Sequence, residues 1–377
     1  MSILKRYILK SSILPFFMGF GGFLLYANVF ILIDISSEIV RNDLSFWKLF
    51  PYIMQQIPRY IPQAIPVGVL LSIFWLLSKL ESKNEIIAFQ VHGIKLKEIV
   101  TPFLILGIIL SLTTYVLKEH VVPEMYRNKN AEVYLSSGLH KFMLSEENRY
   151  MFIKRIYSNR KELVDVFIYD IDKENTSMKV YYAPQVLYDE EQSEWDLSGM
   201  KVYASIYDSK MIPHDLNETD RKLVGDDIDF YFMVTRKKAY NMKSDELLQI
   251  MNEFKRRGIY NTDSFSFDIE FHTRYAQSLG PLVVAILGVP LSLALNIKSK
   301  AWSVIFTFLL IALYQGSTQW MAAMGRSDLW SPWHIRPELA AWGPDLLFSV
   351  IGGIFYMLLD TEMLYGFKEK LSRFSGE

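Results

Sequence analysis

The sequence predicts an α-helical membrane protein with six transmembrane helices and one inserted extracytoplasmic antiparallel β domain. Half of its 377 residues are apolar (51%), and its charges are unevenly distributed. Of the 40 basic and 41 acidic residues, 51 lie between positions 118 and 274, whereas 30 occupy the other 220 positions. Hydrocarbon is therefore expected around the flanking segments and water around the central block. This pattern excludes a soluble enzyme and a disordered chain, and the net charge of −1 excludes a nucleic-acid-binding protein.

Five segments contain no charged residue, and each has the roughly 17–25 residues that a helix needs to cross a bilayer core. A sixth apolar run reaches spanning length only when Asp345 is included. The predicted spans are residues 11–33, 60–78, 99–117, 275–297, 301–325 and a sixth at 346–359. We therefore assign three helices to a first membrane segment, 1–125, and three to a second, 275–377.

The orientation of the spans follows from the Lys and Arg content of the short loops. One set of loops holds 12 Lys and Arg in 52 positions, whereas the other holds 5 in 47. The first set comprises residues 1–12, 79–98, 296–301 and 364–377, and the second comprises 34–60 and 323–342. The first set is expected in the cytoplasm, so both termini lie inside and the charged block lies outside.

The charged block changes to a strand-like pattern, with aromatic and β-branched residues alternating with polar ones. The predicted strands are residues 150–156, 163–171, 179–188, 195–207 and 229–235. Because no helix separates them, a sandwich or jelly roll over 126–240 is favoured. A helical connection over 241–274 follows, and in it the segment 242–258 has helical spacing and a stop at Gly258.

The chain offers no recognisable catalytic or metal-binding motif. It contains no cysteine and no Gly-Lys dipeptide, so it lacks the loop with which an ATPase holds phosphates. No two of its six histidines lie within five residues of each other, which is unlike a metal-binding helix. We expect no catalytic residue, no metal ligand and no cofactor in this chain.

The cytoplasmic loop between spans two and three predicts a short helix at about 83–92. Ser82 and Glu85 have the spacing of a capping box, and Gly93 is a natural stop. The helix would display the apolar residues Ile86, Ile87, Phe89 and Val91. Two interpretations remain open from spacing alone: the helix docks in the groove of a partner, or it packs against the inner ends of the spans.

A second polar segment precedes span four. Glu270 and Arg274 have the i,i+4 spacing of a helical ion pair. The pair either adds modest stability to the helix or forms part of a polar collar that contacts a lipid head group.

Several short motifs occur in a characteristic order along nearly the whole chain. They are Lys5-Arg6-Tyr7-Ile8, Leu32-Ile33-Asp34, Glu85…Ala88…Gly93-Ile94, the 242–258 helix, Glu270-x-His272-x-Arg274, Gly288-Val289-Pro290-Leu291 and Trp342-Gly343-Pro344-Asp345. With three spans, a β domain and three further spans, this order resembles the LptF/LptG (YjgP/YjgQ) permease family of the lipopolysaccharide-exporting ABC transporter.

The resemblance implies a permease subunit, not an enzyme, in the bacterial inner membrane, with a periplasmic jelly roll. Such a subunit extracts lipopolysaccharide from the periplasmic leaflet and passes it to a bridge of LptC and LptA-like proteins, as part of outer-membrane biogenesis. Its other implied partners are the paired LptF or LptG homologue and an LptB-like ATPase dimer, which uses ATP and Mg²⁺.

The resemblance also implies roles for particular residues. The helix at 83–92 would be the coupling helix that contacts the ATPase, through Glu85, Ile86, Ala88, Phe89 and Gly93. Spans one and five would line the lipid cavity, with candidates Tyr26, Phe30, Ile33, Tyr314, Gln315 and Gln319. Guanidinium groups suit lipid phosphates, and the arginines in the short outer loops are Arg41, Arg59, Arg326 and Arg336.

Two other functional classes compete with this interpretation. A membrane-anchored enzyme acting on envelope lipids would use Glu270 and His272 as an acid–base pair and would be active without ATP. A structural scaffold would use the β domain only to bind a partner. Co-purification with an ATPase distinguishes the permease from both.

Overall fold

The structure is a computed structural model that describes residues 3–42, 46–127, 140–145, 149–157, 162–172, 177–189, 194–205, 213–235, 239–327 and 331–358. The chain divides into two compact units. The membrane unit comprises Met1–Met125, Ile269–Arg326 and Trp333–Glu377, and the β unit comprises Tyr126–Asp268 and Ser327–Pro332.

Helices account for most of the described chain. Five lie before the strands: α1 (Ile3–Asn42), α2 (Phe46–Ser82), α3 (Glu85–Val91), α4 (Leu96–Val116) and α5 (Val122–Arg127), with a π-helical turn at Leu117–Val121 between α4 and α5. Six follow the strands: α6 (Glu218–Thr235), α7 (Ser244–Arg256), α8 (Thr262–Ser278), α9 (Gly280–Leu295), α10 (Lys300–Gly325) and α11 (Pro337–Leu358).

The helices confirm a multi-pass membrane protein. Within the described part of the chain, five segments are long and apolar enough to span a bilayer, and a bent pair of helices makes a sixth if it counts as one span. The five are Ile3–Val29, Ile57–Ser82, Glu98–Met125, Lys300–Gly325 and Pro337–Leu358.

The fourth predicted span differs from a single straight helix. Residues 275–297 cross a break at Leu279, where α8 and α9 meet at 47°. Pro281 stands in the first turn of α9, and its ring nitrogen cannot donate the hydrogen bond that would continue α8. The charge-free run therefore marked the membrane segment correctly but not the bend inside it.

The core of the membrane unit forms around α2 and α9. Apolar side chains of α2, α4, α9 and α10 are buried together, and α2 is buried over most of its spanning length. A Cβ added at Gly68 would lie 2.8 Å from the carbonyl oxygen of Phe16, so the backbones of α1 and α2 are in direct contact. Small residues permit this close packing, which replaces the hydrophobic effect as the attraction between helices in lipid.

The described residues of the β unit form one seven-stranded antiparallel sheet, and an antiparallel sheet is what the sequence predicts for the inserted domain. Its strands are β1 (His140–Ser145), β2 (Arg149–Tyr157), β3 (Glu162–Asp172), β4 (Ser177–Asp189), β5 (Glu194–Asp196), β6 (Lys201–Ser205) and β7 (Pro213–Asp215). The order is β1-β2-β3-β4-β6-β7, and β5 also pairs with β4. The predicted strand 195–207 is divided into β5 and β6 by a turn in which the Met200 amide donates to the Leu197 carbonyl.

One predicted strand is wrong. Residues 229–235 form the second half of the helix α6, not a strand. The buried residues Val224, Ile228, Tyr231 and Val234 recur at helical spacing, and α6 contacts β1 and β5. The end of α6 has the aromatic and β-branched composition that is typical of a strand, but its buried residues recur with the period of a helix.

The helix predicted at 242–258 is confirmed as α7. Leu247, Ile250, Met251 and Phe254 are buried on one face. Gly258 has φ of 66°, a left-handed conformation that suits glycine and ends the helix.

Candidate functional site

The short helix α3 lies in the loop between α2 and α4, as predicted, but it begins differently. The Ser82 hydroxyl donates to the carbonyl of Lys79 at 3.0 Å and does not cap α3, so the predicted capping box is wrong. Asn84 adopts a left-handed φ of 55° instead and separates α2 from α3. Gly93, with φ of 78°, ends α3, and the Ile94 amide donates to the Phe89 carbonyl at 3.0 Å.

The two faces of α3 have different surroundings. Ile86 is buried (4% exposed) in the membrane-unit core, and Phe89 packs against that core. Ile87 and Val91 are 55% and 79% exposed, Ala88 is exposed, and Glu85 is half-buried. The expectation that all four apolar residues are displayed is therefore wrong for Ile86. One face of α3 is anchored to the chain, and the other leaves two large apolar residues uncovered.

The predicted cavity residues occupy unequal positions. On α1, Tyr26 and Ile33 are 56% and 60% exposed, whereas the side chain of Phe30 lies outside the described residues. On α10, Gln319 is exposed and Gln315 is half-buried. Tyr314 is buried (2%), and its hydroxyl donates to Asp345 Oδ1 at 2.7 Å.

The four candidate phosphate-binding arginines are spread over three segments. Arg59 on α2 is half-buried and lies 5.8 Å from the ring centre of Tyr60. Arg326 follows the last turn of α10, and Arg336 is exposed just before α11. The side chain of Arg41 lies outside the described residues.

The expected ion pair between Glu270 and Arg274 is wrong. Arg274 has a side chain only 2% exposed, and its Nη1 lies 3.1 Å from Glu119 Oε2, in the π-helical turn. The pair with Glu119 forms in place of the pair with Glu270. It neutralises a guanidinium group inside the membrane unit, where an unpaired charge is costly. Spacing along one helix could not reveal this partner.

A polar pocket beside that ion pair was not predicted. Pro62 and Pro66 form part of its wall, and its polar lining consists of Gln63, Lys118, Gln277, Tyr314 and Gln315. We call it the Lys118 pocket. It lies at the end of the helices opposite α3. No local sequence pattern indicates it, because its five polar residues come from four helical segments and meet only in the folded chain.

A network of ion pairs lies in the β unit. Asp227 of α6 is 1% exposed and accepts hydrogen bonds from Arg149 Nε at 2.7 Å and from Arg257 Nη1 at 2.8 Å. Close by, burial and the neighbouring Asp220 carboxylate raise the pKa of Tyr181 to about 12, and its hydroxyl donates to Asp220 Oδ1 at 3.1 Å. The network holds α6 on the sheet.

Comparison with known proteins agrees with this architecture. Residues 6–359 match the family described as lipopolysaccharide export system permease LptF/LptG. The chain belongs to this family. The resemblance inferred from the short motifs is thereby confirmed, together with the fold class of apolar helices around an inserted antiparallel sheet.

A curated relative in the LptF/LptG family extends the comparison. The lipopolysaccharide export system permease protein LptG of Haemophilus influenzae is 23% identical to this chain over 226 residues. The matched region is 57% of this chain and 62% of that protein, so the chain covers less than two thirds of the relative's length.

Proposed function

We propose that this chain is the permease subunit of an ABC transporter that extracts lipopolysaccharide from the periplasmic leaflet of the inner membrane. A separate ATPase dimer supplies the energy and uses ATP and Mg²⁺, and the lipid passes to a periplasmic bridge of LptC and LptA-like proteins. The observation that carries this proposal is the two-faced helix α3, with one face anchored in the membrane unit and the other uncovered.

The uncovered face of α3 suits a protein groove. Ile87 and Val91 are four residues apart, so they lie on one side of the helix and expose apolar surface there. The loop charges predict that this side of the membrane is the cytoplasm. Helices with such paired apolar anchors bind in hydrophobic grooves. An ATPase subunit is the partner that the family membership suggests, because this chain has no phosphate-binding loop of its own.

The anchored face of α3 provides a route for movement. Ile86 belongs to the same buried cluster as Phe74, Leu77 and Leu80 of α2 and as residues of α9. Close-packed interiors transmit displacement as rigid bodies. A push on α3 during ATP-driven closure of the ATPase dimer would therefore move α2 and the helices packed on it.

The outer faces of α1 and α10 provide surface for lipid and for a second permease. Large apolar residues are exposed along both helices: Leu14, Phe17, Leu25 and Tyr26 on α1, and Ile305, Leu309, Leu313 and Trp320 on α10. We propose that these faces line the lipid cavity together with the paired LptF or LptG homologue. Such shielding matters because each exposed CH₂ of an acyl chain costs about 0.8 kcal/mol.

Co-purification of the tagged chain with its ATPase tests the proposal. The double variant Ile87→Glu/Val91→Glu places two charges on the uncovered face and should lose most of the ATPase. The control Leu248→Glu changes an exposed apolar residue of α7 (41% exposed) and should retain it. Failure of the unaltered chain to bind any ATPase, or full retention by the double variant, would overturn the proposal.

A further inference from the structure

Three contacts join the first two turns of α10 to adjacent residues of α2. The Ser303 hydroxyl, which is 0% exposed, donates to the carbonyl oxygen of Phe74 at 3.1 Å. The ring of Phe74 also stacks on that of Phe306, with centroids 6.5 Å apart and planes inclined by 9°. Beside them, the Lys300 ammonium group lies 5.4 Å from the ring centre of Trp75. We call these three contacts the α2–α10 clamp.

Ser303 differs from the other serine and threonine residues of α10. The hydroxyls of Thr307, Ser317 and Thr318 donate to carbonyl oxygens of α10 itself. Ser303 also has such an acceptor, the Ser299 carbonyl at 3.1 Å, which alone would satisfy its hydroxyl. The additional bond to α2 therefore serves the contact between the helices, and it forms because a small side chain lets the two backbones approach.

The clamp lies between the helix that would receive the push of the ATPase and the helix proposed to line the cavity. On the α2 side, Phe74 belongs to the same buried cluster as Ile86 of α3. On the other side, α10 is one helix of 26 residues without a proline. It is about 39 Å long, so a displacement of its first turns is carried to the predicted cavity residues Gln315 and Gln319.

A second connection joins the other half of α10 to α11. The buried Tyr314 hydroxyl donates to Asp345 at 2.7 Å, and the Tyr314 ring packs edge-on against Phe348, with centroids 5.4 Å apart. The helix α10 is thus bonded to α2 through its first turns and to α11 farther along. A movement of α2 that passes through the clamp therefore displaces α10 and α11 together.

We propose that Ser303 is a positioning residue that couples α2 to α10, so that displacement of α3 by the ATPase reaches the lipid cavity. The hydroxyl contacts neither the ATPase nor the lipid. It keeps the first turns of α10 against α2 while both helices move. The inference rests on the proposed function, and it adds the residue through which the movement of α2 reaches the cavity wall.

Lipid released per ATP hydrolysed measures this coupling. The proposed complex is placed in vesicles with labelled lipopolysaccharide, and ATP hydrolysis and release to a soluble bridge protein are followed in the same sample. Ser303→Ala should bind the ATPase and hydrolyse ATP as the unaltered chain does. It should release about threefold less lipid per ATP, the factor that corresponds to an average hydrogen bond between membrane helices.

Two further variants separate the bond to α2 from the mere presence of a hydroxyl. Ser303→Thr restores a hydroxyl at the same position and should recover most of the lost release. The matched control Thr307→Val removes a buried hydroxyl one turn away, whose bond stays inside α10, and should keep the unaltered ratio.

A covalent link between the helices tests the coupling without the hydroxyl. The chain contains no cysteine, so Trp75→Cys/Lys300→Cys introduces a single pair of thiols, at two positions where the side chains already lie together. In the Ser303→Ala background, closing this pair with a short bifunctional thiol reagent should restore the release per ATP. In the chain that keeps Ser303, the same link should permit release.

The outcomes distinguish this inference from the proposed function. If the unaltered complex binds no ATPase, or releases lipid without ATP, the proposed function fails and the inference fails with it. If release by the unaltered complex requires ATP but Ser303→Ala keeps its ratio, or the link does not restore it, only the inference is overturned. Equal losses of ATP hydrolysis and release in Ser303→Ala would assign Ser303 a purely structural role. If that variant does not fold, the link in the chain that keeps Ser303 still decides, because blocked release would show that α2 and α10 must separate.

Discussion

The two units bury charge in different ways. In the β unit, Asp227 is shared by Arg149 and Arg257. Each arginine also bonds to a further carboxylate, Arg149 to Asp170 at 2.7 Å and Arg257 to Asp226 at 2.5 Å. In the membrane unit, the pair between Arg274 and Glu119 is longer, at 3.1 Å, and among the described residues Lys118 bonds only to the amide of Gln277.

The solvent explains this difference. At the rim of the β-unit network, Arg256 and Asp226 are 61% and 52% exposed, so water shares in balancing its charges. The desolvation cost of the network is therefore limited, because only its centre is dehydrated. The membrane unit has no water at its lipid-facing surface, and its stability comes mainly from close helix packing. Among the described residues, most buried polar groups of the membrane unit are serine and threonine hydroxyls, and the buried charged ones are Glu81, Arg274 and Asp345.

The largest effect is expected at the centre of the β-unit network. Asp227→Asn removes the carboxylate between two arginines whose side chains are each 10% exposed. Breaking such a buried network should cost about 3–5 kcal/mol. Hydrogen exchange of the α6 amides in the full chain measures this loss.

The adjacent residue provides the control for Asp227. Asp226→Asn changes a carboxylate that is 52% exposed, and it should cost under about 1 kcal/mol. Equal effects of the two variants would show that burial does not set the strength of the network.

The second effect tests close packing in the membrane unit. A Cβ at Gly352 would lie 2.8 Å from the carbonyl oxygen of Ile286, so Gly352→Ala must separate α11 from α9. We expect a loss of about 1–3 kcal/mol in unfolding by dodecyl sulfate in mixed micelles. Gly353→Ala meets no atom within 4 Å and should be neutral or slightly stabilising. A neutral Gly352→Ala would contradict the importance of backbone contact.

A third, smaller effect is expected for the membrane ion pair. Arg274→Gln leaves Glu119, whose side chain is 12% exposed, without its guanidinium partner. Polar interactions within membranes are worth at most about 1–2 kcal/mol, so the same unfolding assay should show a loss in that range. The double variant Glu119→Gln/Arg274→Gln should recover part of it; a larger loss in the double variant would show that the pair is not the cause.

The smallest effect concerns pH and the rim of the network. Hydrogen bonding to Arg256, opposed by partial burial and aided by Arg257, lowers the pKa of Glu253 below its ordinary 4.5. The stabilisation by Glu253 is therefore full above pH 4.5 and is lost as the pH falls through the lowered pKa. Hydrogen exchange in α7 should show a loss of under about 1 kcal/mol on acidification. In Glu253→Gln this part of the pH dependence should vanish; its persistence would assign the effect to another carboxylate.

The features predicted correctly from sequence depend on local pattern. Charge-free runs identified the spans, and helical spacing before Gly258 identified α7. The strand at 229–235 failed because aromatic and β-branched residues also pack well on a buried helix face. The helical spacing of the buried residues begins at Val224, which lies before the segment 229–235 that was predicted as a strand.

The polar features depend on contacts between distant parts of the chain. Glu119 and Arg274 are 155 positions apart, and Lys118 and Gln277 are 159 apart. No local spacing encodes these pairs, so the nearer Glu270 was chosen for Arg274. The uncovered face of α3 depends on both local pattern and distant contacts. The sequence pattern predicted its apolar residues, but only the fold distinguishes the buried Ile86 from the exposed Ile87.

Lipid transfer from reconstituted vesicles tests the central claim most directly. The complex that we propose, of this chain with a paired permease and an ATPase dimer, is placed in vesicles that contain labelled lipopolysaccharide, and release to a soluble bridge protein is measured. We predict release that requires ATP and falls at least tenfold in Ile87→Glu/Val91→Glu but not in Leu248→Glu. Release without ATP, or equal release by the double variant, would contradict the claim that energy enters this permease through α3.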